Sequence, residues 1–574
     1  MNQKKIVNIK NAPSEMVDIF LPDGRVLSGP RGATVEEFLK SLPDWEEQQI
    51  VGAIINGGLR ELSYPIKIES QVKPIGMADA DGARIYRRSL IYLLEAAYEE
   101  LFSNGDLTVD HSVSSGGFFC QVLGREPLSE DELQQLEDHM HKLVDADLPI
   151  ERQQIPLDEA VAYFGAKGQT DKVRLLKYRQ KPHLMMYELA GHRDYHHGYM
   201  VVSTGYLRWF ELSSLEEGFI LHFPRRHWPT EIQPAPESLR LIDTFREYGD
   251  WLTRLEIDSV GGLNEAIEKS RIRGVVLVSE ALHEMRIAEI ARRIVEQPEK
   301  SVIVIAGPSS SGKTTFSKRL AVQLLAQGIS PFALEMDNYF VDRAKTPKGE
   351  DGMYDYESLN ALNTKVLGMH LRQMMTREEV QLLHYDFKTG LSEPGEVVKL
   401  APDQLIILEG IHGLNPNLIA DVPQERIFRI YISALTQLNL DRQNRISTTD
   451  TRLIRRIVRD ARERGYSASQ TIGQWESVRR GEKRNIFPYQ YNADEMFNSA
   501  LAYELAVLKP FAEPILRQVP YGTPEHVEAK RLLALLEWFL PMDMELVPDN
   551  SLLKEFYGGS IFKEFKLWGD STSY

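Results

Sequence analysis

The densest chemistry in the sequence lies at Gly307-Pro308-Ser309-Ser310-Ser311-Gly312-Lys313-Thr314, which satisfies G-x-x-x-x-G-K-[ST] at every position. Glycines let a backbone wrap around phosphate oxygens, and a helix that follows presents free N–H groups and the positive end of its dipole. Lys313 then reaches the outer phosphates and the Thr314 hydroxyl is placed for Mg²⁺. Gly307, Ser309, Ser310, Ser311, Gly312, Lys313, Thr314 and Thr315 are therefore the candidate cradle for ATP.

A cradle alone does not say whether a triphosphate is hydrolysed, transferred or sensed, and three later features bear on that. Asp337 ends the apolar run ISPFALEM and is placed to take the proton of an attacking hydroxyl. Glu409 ends LIILEG, where a carboxylate can hold Mg²⁺ or its water shell, although Asp is commoner there. From Asp441 to Arg484 twelve Lys/Arg stand against six Asp/Glu. Arg452, Arg455, Arg456 and Arg459 recur three or four apart on one predicted helix, and guanidinium forks suit phosphates in transfer. The segment reads as a mobile lid over the phosphates.

These residues need elements that bring them together. SVIVIA before the glycine loop is a short β-branched run, and TTFSKRLAVQLLAQ after it has helical period and stops at Gly328. ISPFALEM and LIILEG read as further buried strands, so a parallel sheet would gather their C-terminal ends beside the loop. Nearer the front, residues 16–75 alternate in strand fashion around Pro22-Asp23-Gly24 and Asn56-Gly57-Gly58, with one helix in GATVEEFLKSL. A long helix follows in ARIYRRSLIYLLEAAYEELF and a charged one in SEDELQQLEDHMHKLVDADL. His227–Ser238 carries three prolines and reads as a linker.

The expected organisation is α+β domains at 1–78 and 79–225, a linker and helical connector at 226–299, an α/β phosphate-binding domain at 300–545 with helices flanking a parallel sheet, and a tail at 546–574. The length of 574 residues agrees with several cores, and 43% hydrophobic with 26% charged residues excludes a disordered or fibrous chain. Net charge is −16, which disfavours a general nucleic-acid or anionic-membrane binder and requires any phosphate site to be locally basic. The single cysteine, Cys120, excludes an intrachain disulfide. No run approaches 18 apolar residues and MNQKKIVNIKNAPSE lacks a signal-like core, so the expected setting is cytoplasmic.

GPSSSGKTT, MDNYF, YDY at 354–356, HYDF at 384–387, LEGIHGL and TDTRLIRRIVRD with RERG together resemble the uridine kinase and phosphoribulokinase family, over roughly 300–540. The resemblance implies an α/β P-loop kinase fold and ATP-dependent phosphorylation of a nucleoside-like hydroxyl. It implies Asp337 as base, Asp355 near sugar hydroxyls, Tyr385 and Phe387 around the base, and Arg456, Arg459 and Arg464 over the phosphates. Two positions depart from the uridine kinase pattern. Its Thr-His-Ser-Arg stretch after YDF is replaced by Lys388-Thr389-Gly390-Leu391, and its second lid arginine by Tyr466. A nucleoside and a sugar phosphate therefore both stay open as acceptor.

Residues 16–75 resemble a TGS domain, and 79–224 are similar to the editing-type domain of threonyl-tRNA synthetases, through DLPIERQQIPLDEAVAYF and VVSTGYL. The four site positions of that domain would fall at Arg88, Tyr92, His196 and Met200, so three cannot serve as metal or editing groups. His192, His196 and His197 remain as a histidine cluster, with hydrogen-bonded roles preferred to metal binding. The front half is expected to regulate, an RNA- or tRNA-associated nucleotide switch is the competing reading, and self-association is compatible with the sequence.

Overall fold

A computed structural model describes residues 14–565 apart from 114, 115, 234–238, 350, 351, 353, 437 and 564. Residues 1–13, most of the amino-terminal stretch without a signal-like core, the last five residues of the proline-rich segment and the last nine of the tail lie outside the described residues.

The first module is a five-stranded sheet of β1 (Met16–Phe20), β2 (Val26–Pro30), β3 (Ile50–Ile55), β4 (Gly58–Arg60) and β5 (Ser70–Gly76), in the order β2-β1-β5-β3-β4. Asn56 and Gly57 turn β3 into β4 with φ of 48° and 81°, the left-handed pair that a two-residue hairpin needs. Helix α1 (Val35–Leu39) starts on a reciprocal cap between Thr34 and Glu37 and drops Val35, Phe38 and Leu39 onto the sheet.

Helix α2 (Ala80–Leu101) follows, buried over most of its length. Around it lie β6 (Asp106–Val113), β7 (Gly117–Leu123), α3 (Glu130–Asp145), β8 (Glu151–Pro156), α4 (Leu157–Ala166), α5 (Thr170–Leu176), β9 (His183–Leu189), β10 (His192–Asp194), β11 (Glu211–Leu215) and β12 (Gly218–His222). The strands form two sheets, β11-β12-β7-β6 and β10-β9-β8. The segment expected as linker and connector supplies α6 (Leu239–Arg254), α7 (Val260–Glu268) and α8 (Ile272–Val295).

The C-terminal half holds β13 (Val302–Ala306), α9 (Lys313–Ala326), β14 (Ser330–Glu335), α10 (Thr364–Met375), β15 (Val380–Asp386), β16 (Leu391–Val398), β17 (Gln404–Glu409), β18 (Ile427–Ser433), α11 (Thr448–Glu463), α12 (Ala468–Asn485), β19 (Glu495–Asn498), α13 (Glu504–Leu516), α14 (Pro524–Leu536) and a short α15 (Lys554–Tyr557). Its main sheet is parallel throughout, in the order β14-β17-β13-β18-β19, with β15 and β16 as a separate hairpin. All five residues of β13 are buried, as expected for a strand covered by helices on both faces. This is the α/β fold expected from the strand runs.

The core does not stop at the edges of that sheet. Ile303, Ile305, Phe316 and Leu320 share one apolar cluster with Ile287, Ile290 and Ile294 of α8, and with Phe164, Leu175 and Tyr195 of the preceding region. Among the described residues no helix is long and apolar enough to cross a membrane.

Candidate phosphate-transfer site

The parallel register of β13, β14 and β17 sets Ile305 and Glu335 both beside Glu409, so the three strands end together. The glycine loop leaves β13 here and turns into α9 at Gly312, whose φ of 86° is left-handed. A side chain at Gly312 would also strike Leu552, since a Cβ there would lie 2.1 Å from Leu552 Cδ2. Glycine is thus required twice over.

Thr314, Glu409, Lys313 and Asp337 gather at this point. The Thr314 hydroxyl donates to Glu409 Oε1 at 3.0 Å, so the two groups expected to hold Mg²⁺ meet directly. One hydroxyl and one carboxylate, both hard oxygen donors on one side of a cleft, fit a cation that keeps most of its water and takes the rest of its shell from phosphate. Burial pushes the Glu409 carboxyl up to about 7, with Lys313 pulling the other way. Lys313 is lowered, first by desolvation, while the charges of Glu409, Glu555 and Asp337 oppose that. Asp337 opens to the cleft from a 3-10 turn, Met336–Tyr339. Its carboxyl is raised by desolvation and by Glu335, and held back by Lys313 and Arg464.

The arginine helix α11 is a packed wall, which corrects the expectation of a mobile lid. Leu453, Ile454, Ile457 and Val458 are buried, and so are Arg452 and Arg455. Arg452 pairs with Glu482 and donates from Nε to Ser309 O at 2.9 Å; Arg455 pairs with Glu504 at 2.6 Å and reaches Ser310 O. These two hold the loop from behind. Arg456, Arg459 and Arg464 share the fully buried Asp460. Arg456 donates to Ser309 Oγ at 2.8 Å. The charge of Arg459 depresses Lys313, and that of Arg464 reaches Asp337. Of the three arginines assigned to phosphates, Arg456 touches the cradle, while Arg459 and Arg464 are tied to Asp460 and reach it by charge alone.

Tyr385 is buried and its ring lies 5.5 Å from Phe340 and 5.0 Å from Phe387, which is exposed. Tyr356 meets Phe340 at 5.7 Å and Tyr354 at 6.2 Å. Tyr385 and Phe387 thus form an aromatic shelf. Asp355 stands beside it, and its Oδ1 accepts from the Glu357 N–H at 3.2 Å. Lys388-Thr389-Gly390 is the tight turn between β15 and β16, closed by Gly390 N–H to Asp386 O at 2.7 Å.

Sequence reading missed Glu482 and Glu357. Glu482 is fully buried and accepts from the Ser309 N–H at 3.1 Å; its only sequence signal is one acid inside RRGEKR. Glu357 is raised to about 7 by burial first and Glu482 second, with Arg456 and Lys313 opposing.

In the front half the four positions expected to match an editing site do converge, but as packed and hydrogen-bonded side chains. Arg88 donates to Tyr199 O at 2.6 Å, Tyr92 sets its ring edge against His196 at 5.4 Å, and Met200 is fully buried. The histidines divide. His192 and His196 turn to Glu95, whereas His197 accepts from Trp538 Nε1 at 3.1 Å. Glu95, His192 and Asp194 offer ligand atoms within 4.8 Å of one another, but Lys172 is paired with Asp194 inside the same cluster.

The comparisons with known proteins agree with this division. Residues 302–505 match the phosphoribulokinase / uridine kinase family, and residues 17–73 match the TGS domain. The threonine–tRNA ligase of Polaromonas sp. is 31% identical over 198 residues, 34% of this chain and 31% of the ligase. That of Bacillus velezensis is 30% identical over 203 residues, 35% of this chain and 31% of the ligase. The chain thus spans about a third of the length of these curated relatives. Among solved structures, a possible uridine kinase from Bacillus stearothermophilus is 21% identical with a TM-score of 0.26, covering 37% of this chain and 97% of that one. A D-glycerate 3-kinase from Cryptococcus neoformans is 15% identical with a TM-score of 0.23, covering 38% and 87%. The chain therefore carries a phosphoribulokinase / uridine kinase family domain in its C-terminal half, a TGS domain at its front, and a region homologous to threonine–tRNA ligases over its first third.

Proposed function

We propose that this chain is an ATP- and Mg²⁺-dependent kinase that transfers the γ-phosphoryl group to a hydroxyl of a neutral, nucleoside-like small molecule, with the front domains in a regulatory role. The observation that carries this reading is the meeting of Lys313, Asp337 and the Thr314–Glu409 pair where three parallel strands end. Lys313, Arg456, Arg459 and Arg464 would steady the phosphates, Thr314 and Glu409 would hold the metal, and Asp337 would take the hydroxyl proton. Mg²⁺ would supply charge neutralisation of the phosphates in transfer. The shelf of Phe340, Tyr385 and Phe387 supports a flat, uncharged ring in the acceptor. Carboxyls at Asp337, Asp355 and Glu357 near that shelf count against an acceptor that already carries a phosphate.

A panel of nucleosides and sugar phosphates, each with ATP and Mg²⁺, tests the reading. At least one neutral nucleoside is expected to be phosphorylated, and Asp337→Ala to slow that reaction by about 10²–10⁴-fold. Turnover of no acceptor above background, or an unaltered rate in Asp337→Ala, would defeat it. The likeness to tRNA ligases motivates the competing nucleotide-switch reading; retention of tRNA on a filter at physiological salt, with no acceptor turned over, would favour it.

A further inference from the structure

The phosphate cradle already holds an anion, and it belongs to the protein. Glu555 Oε2 accepts from the backbone N–H of Thr315 at 3.0 Å. Thr315 is the third residue of α9, so this N–H is one of the few in the first turn with no partner inside the helix. Such donors, together with the helix dipole and Lys313, are what a phosphate binds after a glycine loop.

The segment that delivers Glu555 is firmly seated. Leu552, Leu553 and Phe556 are fully buried, and Leu552 lies against Gly312 itself. The Phe556 ring lies under the Arg455 guanidinium at 5.0 Å, Tyr557 stacks on Phe511 at 5.2 Å, and the Glu555 carbonyl accepts from Arg462 Nη2 at 3.1 Å. Farther on, Phe562 O accepts from Lys318 Nζ at 2.8 Å. The anchors are apolar side chains and backbone carbonyls, whereas the polar contact with the cradle is made by the end of one flexible side chain. A rotation about the Glu555 side-chain bonds would clear the N–H and leave every anchor in place.

We propose that Glu555 is a built-in phosphate mimic: its carboxylate occupies the nucleotide cradle, must swing out before a nucleotide phosphate enters, and thereby sets nucleotide affinity. This rests on nucleotide binding at the glycine loop but not on the identity of the acceptor. The charge of Glu555 is felt at Lys313, so its carboxylate competes for a group the phosphates need. If the carboxylate fills the cradle nine-tenths of the time, apparent affinity falls by about tenfold.

Titration calorimetry with ADP and with pyrophosphate, on the full chain and without acceptor, tests this. Glu555→Ala and Glu555→Gln are both expected to bind ADP about tenfold more tightly than the native protein, and Lys313→Met is expected to lose that binding. Glutamine keeps the side-chain volume, so a gain in both variants assigns the effect to charge. Affinities within twofold of native in both variants, weaker binding in both, or no binding in any protein would overturn the proposal. An acceptor panel that fails while ADP binds would defeat the kinase reading and leave this one standing.

Discussion

The phosphate cradle and the Glu95–His192 cluster are both charged pockets, and they treat charge in opposite ways. In the cradle, among the described residues, Lys313 has no short carboxylate partner; it donates to Pro308 O at 3.2 Å, and Asp337 opens to the cleft. In the cluster the charges are matched internally. Lys172 pairs with Asp194 with both side chains almost wholly buried, His192 meets Glu95 and Glu99, His196 meets Glu95, and Tyr195 donates to Asp441 from the other half of the chain. A site that must bind a ligand leaves a charge without a close counter-ion, whereas a structural cluster pairs its charges. The front cluster has the composition of a metal site and the bonding of a clamp.

The largest test of this contrast falls on the clamp. Lys172→Met removes one partner of a buried ion pair and is expected to destabilise the chain by about 3–5 kcal/mol, read from the urea midpoint, while nucleotide affinity per folded molecule is unchanged. Adding Asp194→Asn should recover part of the loss, since the stranded charge is then gone. A Lys172→Met protein of native stability would return the cluster to candidate ligand sites. Lys313→Met is the mirror case. It is expected to cost about 10²–10³-fold in phosphoryl transfer and to leave the urea midpoint where it was.

A smaller effect probes how the clamp reaches the other half. The segment before α11 is bound by front-half groups: Asn439 Nδ2 donates to Asp110 O at 3.1 Å, Gln443 Nε2 to Leu107 O at 2.9 Å, and Arg445 Nε to Asp110 O at 3.1 Å. Asp441 is held by Tyr195. Tyr195→Phe leaves that buried carboxylate one donor short and is expected to cost about 1–2 kcal/mol in stability. If the clamp positions α11, the same variant lowers phosphoryl transfer measured below its unfolding range. An unchanged rate would confine the clamp to stability.

The difference between the regions also explains what could be read without the structure. Local signals carried far: the β-branched run of β13, the glycine spacing and the periodicity of α9 lie within 25 residues and locate the cradle. Asp337 and Glu409 were legible because both end apolar runs, and parallel strands bring such ends together. The arginine helix was misread because an arginine looks the same on a lid and in a core. Burial of Arg452 and Arg455 depends on Glu482 and Glu504, 30 and 49 residues away, and no local pattern reports those partners. Glu555 lies 240 residues from the N–H it caps and carries no motif. In the front half the resemblance led to Arg88, Tyr92 and Met200, but the charged groups that fill the pocket, Glu95, Glu99 and Lys172, come from two helices and a different spacing.

The gentlest test uses pH. Burial by itself would lower His192, but the carboxylates of Glu95 and Glu99, the latter accepting from Nδ1, overturn that and raise it to about 9. A histidine whose folded value lies above its ordinary 6.5 contributes stability that is complete below that value and is lost as pH rises through about 9. Glu99 is held down at about 2, chiefly by its hydrogen bond from His192, so its contribution is complete above the ordinary carboxylate value and fails only in strong acid. The clamp is therefore strongest from about pH 4.5 to 6.5. Between pH 6.5 and 9 the native chain is expected to lose about 1–3 kcal/mol more than His192→Gln, read as converging urea midpoints. Lys167 and Lys172 also face the cluster, but both stay charged throughout this window, since each is raised above the ordinary lysine value by its carboxylate partners against desolvation. Parallel curves for the two proteins would mean that His192 is neutral in the folded chain, with its Nε2 free to accept. That result would remove the contrast with the cradle, because the front pocket would then also hold unused capacity for a ligand.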